Sequence, residues 1–247
     1  MIKYIVLGII QGFTEFFPVS SSGHLAIVEK LFGIAEGAVA ITVIMHLGTI
    51  LALVIFFFKD ILKLLRDLKL IGYVLLVTVI TGIIGIAGKD FFEGVFKSPR
   101  MVAVSLVVTG IILLLTKKFP VSKRNTLNIR DAFTLGIAQS IAIIPGISRS
   151  GTTVSCLLFR KLDWETSFRF SFIASIPAVL GAALLEAKDI NFSLQADGGN
   201  LAVGFIFSFL SGFFALRLLK GIMAKAKWHY FGYYCLGAGV FTLIFIH

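Results

Sequence analysis

The chain is written in long apolar runs separated by short polar or basic stretches. The runs fall at about 2–17, 38–58, 71–88, 101–116, 132–147, 170–187, 201–219 and 231–246, against the roughly twenty apolar residues that a bilayer-crossing helix needs. Two further stretches, near 24–34 and 151–159, are too short to span, and each follows a Ser/Gly-rich turn. The pattern predicts an all-α polytopic membrane protein, a single membrane domain over 1–247.

Composition agrees. Hydrophobic residues make up 57% and charged residues 15%, where an ordinary soluble domain carries about 25% charged residues. The 25 phenylalanines suit lipid-facing helices. Cys156 and Cys235 lie in apolar runs and are too few and too far apart for a disulfide framework or a zinc signature, so both read as small core residues. The first run contains Gln11 and Glu15 and lacks the basic start and small-residue cleavage site of a signal peptide, so it reads as part of the mature fold.

The net charge of +10 would suggest nucleic acid in a soluble protein. Here the basic residues sit in short loops between apolar runs, and no nucleic-acid partner is expected. Lys59, Lys63, Arg66 and Lys69 follow one run; Lys117, Lys118, Lys123, Arg124 and Arg130 follow another; Arg217, Lys220, Lys225 and Lys227 follow a third. The excess of Lys and Arg assigns these loops to the cytoplasm. The loop 186–200, with Glu186, Asp189 and Asp197 against Lys188, is assigned outside, and the spans force 89–100 outside as well. The stretch 132–169 must then enter and leave on the inner face, and 1–37 on the outer face. Each is a re-entrant hairpin or a pair of spans; non-helical backbone at that depth is tolerated where protein buries it or water reaches it.

The two stretches are also alike. GIIQGFTEFFPVSSSG at 8–23 aligns without a gap on GIAQSIAIIPGISRSG at 136–151, an offset of 128. Gly8, Ile9, Gln11, Ser20, Ser22 and Gly23 meet Gly136, Ile137, Gln139, Ser148, Ser150 and Gly151. Combined with the opposite orientations, this predicts an inverted-topology repeat, 1–116 and 132–247, with two re-entrant helical hairpins and about six transmembrane helices. In such folds the interrupted segments build the site near the midplane.

Gln11 and Glu15 are four residues apart and share a helix face. A carboxylate in an apolar segment costs about 2.5–3.5 kcal/mol on insertion scales. Glu15 therefore sits at a rim, is protonated, or works as a metal ligand or proton carrier. Pro18 ends one helix and Ser20, Ser21, Ser22 and Gly23 open the next, whose free N–H groups make an anion site. His24 shares that turn and is suited to proton transfer. The second turn, Pro145 to Gly151, repeats the device with Arg149 flanked by Ser148 and Ser150. A guanidinium at membrane depth needs an anionic partner, Glu15 or a substrate phosphate. His46 reads as cavity-lining rather than catalytic, Ser171 and Ser175 as helix-packing residues, and Arg130, Asp131, Asp163 and Glu165 as interface residues at helix edges.

At these residues the chain resembles the undecaprenyl-diphosphate phosphatase family of the bacitracin-resistance type. The carrying motifs are Gln11-Gly-Phe-Thr-Glu15, PVSSSGH at 18–24, HLGT at 46–49, PGISRSG at 145–151 and SIPA at 175–178. The resemblance implies removal of the terminal phosphate from a C55 isoprenyl diphosphate, recycling the lipid carrier of cell-wall synthesis and conferring bacitracin resistance. It implies a divalent cation, Mg²⁺ or Ca²⁺, and a site open to the outer side of the cytoplasmic membrane. The implied catalytic residues are Glu15, Ser21, His24 and Arg149. Gln11, Ser20, Ser22, Ser148, Ser150 and Gly151 are the implied substrate contacts, and Glu15 with Gln11 the implied metal ligands. Gln11 stands where many members carry Glu, and Ile80-Thr81-Gly82 replaces an expected Ile-Pro-Ala. A flippase or transporter of polyprenyl phosphate, with or without phosphatase activity, is the alternative reading, because inverted repeats are typical of transporters. A phosphatase of the PAP2 type is rejected, since its second histidine would stand at Ser155. The expected partners are the polyprenyl diphosphate and membrane lipids; a homodimer stays open.

Overall fold

The computed structural model describes residues 1–32, 38–96, 98–118, 122–189 and 198–245. Asp197, part of the charge pattern of the loop 186–200, and the last two positions of the 24–34 stretch lie outside them. Within the described residues the chain is all-α, with twelve helices: α1 Ile2–Phe16, α2 Ser21–Leu31, α3 Ala38–Phe56, α4 Phe58–Leu64, α5 Leu68–Ala87, α6 Lys89–Phe96, α7 Pro99–Leu115, α8 Ile129–Ile141, α9 Arg149–Phe159, α10 Trp164–Glu186, α11 Gly198–Ala224 and α12 Tyr230–Phe245.

Among the described residues, five stretches are long and apolar enough to cross a membrane: α3, α5, α7 with its short 3-10 extension, α10 and α11. The sixth expected span, α12, is a shorter apolar helix. The helices α1, α2, α8 and α9 have 15, 11, 13 and 11 residues. At 1.5 Å per residue each reaches about 16–23 Å, short of the roughly 30 Å hydrocarbon core.

The apolar pattern is turned outward. Leu75, Val79, Ile83 and Ile86 of α5, Ile206, Leu210 and Phe214 of α11, and Val240, Phe241 and Ile244 of α12 are exposed. The interior holds a phenylalanine-rich cluster around Phe16, Phe57, Phe168 and Phe172, and it also buries Gln11, Glu15, Thr109, Gln139, Ser148, Ser150, Ser155, Ser171 and Ser208. Lipid is as apolar as leucine, so helix association rests on close packing and buried polar contacts. The pair α1 and α11 shows this most directly. A Cβ on Gly12 would stand 2.5 Å from the Gly212 amide and collide with Ser211. Ser211 Oγ donates to the Gly8 carbonyl at 3.2 Å.

Helices α1 and α11, α5 and α8, α3 and α11, and α7 and α12 make the principal packing pairs, with α3 against α10 at the centre. Three details depart from the sequence reading. The run 38–58 breaks at Phe57, between α3 and α4. Residues 89–96 form α6 rather than loop. Arg217 and Lys220 lie within α11, not in the loop beyond it.

Candidate active site

Two turns meet at the site. The first joins α1 to α2. Pro18 cannot continue α1, and Phe17 takes an extended conformation as its cap. Ser20 is left-handed at φ 69°, which re-aims the chain so that Ser21 begins α2. Ser20 Oγ lies 3.3 Å from Ser22 Oγ. The second turn joins α8 to α9. Gly146 is left-handed at φ 89°, and a Cβ there would strike the Val102 carbonyl, so only glycine fits. Ser148 caps α9, accepting from the Gly151 amide at 3.2 Å. Its Oγ lies 3.3 Å from Ser150 Oγ, the same spacing as in the first turn.

Glu15 is the hub. It is buried, and its Oε1 takes a hydrogen-bonded ion pair from an Arg149 guanidinium nitrogen, 134 residues away. Its Oε2 accepts from Ser21 Oγ at 2.8 Å and from Gln11 Nε2 at 3.2 Å. His46 Nε2 stands 3.5 Å from the same oxygen, with His46 Nδ1 2.8 Å from the Thr42 carbonyl. Of the options left open by the sequence, Glu15 is buried rather than at a rim, and the partner of Arg149 here is Glu15. A charge pair held in this way compensates two groups that would each be costly alone.

The structure thus gathers Gln11, Glu15, Ser21 and Arg149 into one connected cluster. It adds His46, which the sequence reading placed no nearer than the cavity wall; the only signal was its position in the HLGT motif. His24 points elsewhere. Its Nδ1 is 2.8 Å from the Ser20 carbonyl and its Nε2 2.6 Å from the Tyr234 hydroxyl. Ser148 and Ser150 are almost fully buried and engaged within the turns, Ser150 Oγ donating to the Phe17 carbonyl at 3.3 Å. Gly151 packs with its would-be Cβ 3.2 Å from Pro18, so the two turns touch directly.

Among the described residues, no group of three or more His, Cys, Asp or Glu side chains could hold a metal ion. Beside Glu15, Gln11 presents its Nε2 to the carboxylate, and its Oε1 is buried and has no hydrogen-bond partner. One carboxylate with neutral oxygen donors suits a hard cation such as Mg²⁺, which is commonly bound by one or two carboxylates together with substrate phosphates.

A cavity of about 680 Å³ opens beside the first turn, bounded by Ile10, Phe13, Phe17, Val28, Phe231 and Tyr234 among others. Its α1 lining, Ile9, Ile10, Phe13, Thr14 and Phe17, lies on the side of the helix away from Gln11 and Glu15, and the cavity meets the turn at Val19 and His24.

A second polar centre lies at the loop end of α8. Asp131, read from sequence as an interface residue, is fully buried. It closes a capping box with Asn128. It also accepts from Arg124 at 2.7 and 3.0 Å and from Arg160 Nε at 2.9 Å. Burial pushes its carboxyl up, but the two guanidinium groups and the Asn128 amide outweigh this and hold it below its ordinary value.

The chain matches the family model for bacitracin resistance protein BacA over residues 4–241. It is 39% identical to the undecaprenyl-diphosphatase of Carboxydothermus hydrogenoformans, over 97% of this chain and 95% of that protein. It is 39% identical to that of Halothermothrix orenii, over 98% and 96%, and 38% identical to that of Alkaliphilus metalliredigens, over 98% of each. With its two serine turns joined through Glu15 and Arg149, and matched from end to end, the chain belongs to the BacA family of bacitracin resistance proteins.

Proposed function

We propose that the chain hydrolyses undecaprenyl diphosphate to undecaprenyl phosphate and inorganic phosphate, at the junction of the turns 17–24 and 145–151. The relatives named above supply the substrate. The observation that carries the site is the chain of contacts Ser21–Glu15–Arg149, which joins a hydroxyl, a carboxylate and a guanidinium from both turns.

Arg149, released in part from Glu15 by the incoming anion, grips the terminal phosphate, with the amides at the start of α2 and α9 behind it. Ser21 Oγ, already donating to Glu15, is placed to attack phosphorus, and Glu15 accepts its proton. The anhydride P–O bond breaks and the polyprenyl monophosphate leaves; water then releases phosphate from Ser21. In the alternative route Ser21 and Glu15 orient the attacking water itself. His24 would serve proton transfer at the leaving oxygen through Nε2, the nitrogen that faces Tyr234 here, since Nδ1 is engaged by the Ser20 carbonyl. Glu15 and Gln11 Oε1 would hold a divalent cation, which when bound neutralises charge on the diphosphate. The polyprenyl chain lies in the apolar cavity between α1, α2 and α12, whose walls are continuous with the turn at His24.

The architecture we assign is the inverted repeat of 1–116 and 132–247, with α1–α2 and α8–α9 as re-entrant hairpins and the site open to the outer face. The packing pairs support it. At the offset of 128, α1 corresponds to α8 and α11 to α5, and α1 packs on α11 as α8 packs on α5.

Phosphate release from a C55 diphosphate by the purified protein tests the reading. Turnover is expected that EDTA abolishes and Mg²⁺ or Ca²⁺ restores. Full activity in both Glu15→Ala and Arg149→Ala would overturn the site. Trapping of phosphate on Ser21 supports the covalent route; substantial turnover by Ser21→Ala supports the water route.

A further inference from the structure

The turn that carries Ser21 and His24 is held by a helix more than two hundred residues away in sequence. Left-handed Ser20 is a conformation that a residue with a Cβ keeps only where its surroundings over-determine it. Beside Ser150 and Gly151 of α9, those surroundings come from one face of α12. Phe231 packs on Phe17 with ring centroids 5.2 Å apart. The Tyr234 hydroxyl meets His24 Nε2 at 2.6 Å, the rings lying 16° from parallel. Cys235 Sγ donates to the Pro18 carbonyl at 3.2 Å. Residues 231, 234 and 235 fall three and four apart, so they share a helix face. Trp228, one turn earlier, donates from Nε1 to Ser155 Oγ of α9 at 3.1 Å.

The second turn is held the same way by another helix. Thr109 of α7 donates from Oγ1 to the Gly146 carbonyl at 3.0 Å and accepts from the Ser148 amide at 3.0 Å. Gly146 is the position that the offset of 128 places opposite Pro18. Corresponding carbonyls are therefore gripped in the two turns, one by α12 and one by α7. These two helices pack backbone to backbone: a Cβ on Gly110 would lie 2.9 Å from the Gly232 carbonyl, and one on Gly232 2.8 Å from the Gly110 carbonyl.

We infer that α7 and α12 form a spine that sets the two turns against each other, with Tyr234 and Cys235 positioning the first turn and Thr109 the second. This rests on the reading of those turns as the reaction site. Tyr234 has a defined role. The Ser20 carbonyl can only accept, so Nδ1 carries the hydrogen, and neutral His24 receives the Tyr234 hydrogen at Nε2. Tyr234 thereby fixes both the tautomer and the direction of the imidazole. None of the three residues touches the Glu15 cluster, so their effect on the reaction is exerted through the turns.

The test uses the full chain in lipid nanodiscs, with kcat and KM measured on a C55 diphosphate and the His24 ring nitrogens followed by ¹⁵N NMR. Each kcat is referred to folded protein by the thermal melt of the same sample. Tyr234→Phe keeps the ring and removes the hydroxyl. It is expected to lower kcat about tenfold, the ~1.4 kcal/mol of one hydrogen bond, with KM within about twofold, and to move the Nε2 resonance. Thr109→Val is expected to lower kcat by a similar factor of about ten without moving that resonance. Cys235→Ser is expected to restore most of what Cys235→Ala loses. Unchanged kcat in both Tyr234→Phe and Thr109→Val, beside inactive Glu15→Ala and Arg149→Ala, would overturn the spine alone. Wild-type turnover in Glu15→Ala and Arg149→Ala would remove the site reading, and the proposal with it.

Discussion

The chemistry at Glu15 is a matter of geometry as much as of charge. The guanidinium of Arg149 is planar and forked, and a lysine in its place is a point charge on a flexible stem. Arg149→Lys is therefore expected to cut kcat/KM by about a hundredfold, measured as phosphate release, although the charge is kept. Stability separates from activity at the same pair. Arg149→Met leaves Glu15 buried without its cation, a loss of about 3–5 kcal/mol. Adding Glu15→Gln removes the stranded charge. The double variant is expected to melt higher than Arg149→Met while remaining inactive, as differential scanning fluorimetry in detergent would read. Glu15, Ser21 and Arg149 were each legible in the sequence, because charge or clustered hydroxyls in an apolar run demand a reason. His46 was legible only as cavity-lining, since its place beside the carboxylate depends on a residue 31 positions earlier. Tyr234 was equally silent, one aromatic residue in an apolar helix.

At the scale of elements, two devices hold the short helices. One is close packing: α1 lies against α11 with no room for a side chain at Gly12. Gly12→Ala is expected to destabilise by about 1–3 kcal/mol, seen as a lower melting temperature, since overpacking forces backbone shifts. The other is the buried carboxylate of Asp131, which ties α8 to Arg160 at the end of α9 and to Arg124 before α8. Asp131→Ala leaves the part-exposed guanidinium groups of Arg124 and Arg160 without their anion and is expected to cost about 1–3 kcal/mol. Its pH dependence follows from the sign of the shift. The folded carboxyl sits below the ordinary 3.8, so its contribution is complete above that value and is lost as pH falls through the lower, folded one. Melts taken between pH 6 and pH 3 should show wild type losing stability over this acid range more steeply than Asp131→Asn. Asp131 looked like an edge residue because its place in the sequence is a loop end; burial came from a partner 29 residues further on.

For the whole molecule, the outward apolar surface and inward polar residues make a body for lipid, with five helices among the described residues able to cross it. The inverted repeat we propose makes a specific demand on sidedness. A cysteine at Lys89 is expected to react with an impermeant maleimide added outside cells, and one at Lys63 only after the membrane is opened. The reverse labelling would turn the assigned orientation over. The short α12 plays a larger part than its length suggests, since it contacts the first turn and, through Trp228, α9 as well.

The sequence by itself determined the solvent the protein lives in, the helical class, the two related turns and most of the charged and hydroxyl residues at their junction. These follow from local patterns: run length, the spacing of Gln11 and Glu15, and a motif repeated at a fixed offset. Only the tertiary structure decided which of those residues touch. It set Arg149 on Glu15, turned His24 toward Tyr234 and away from the carboxylate, and brought Cys235 to Pro18. The physical reason is that hydrogen bonds and ion pairs depend on angstroms between distant segments, while periodicity and composition report only what each segment must bury.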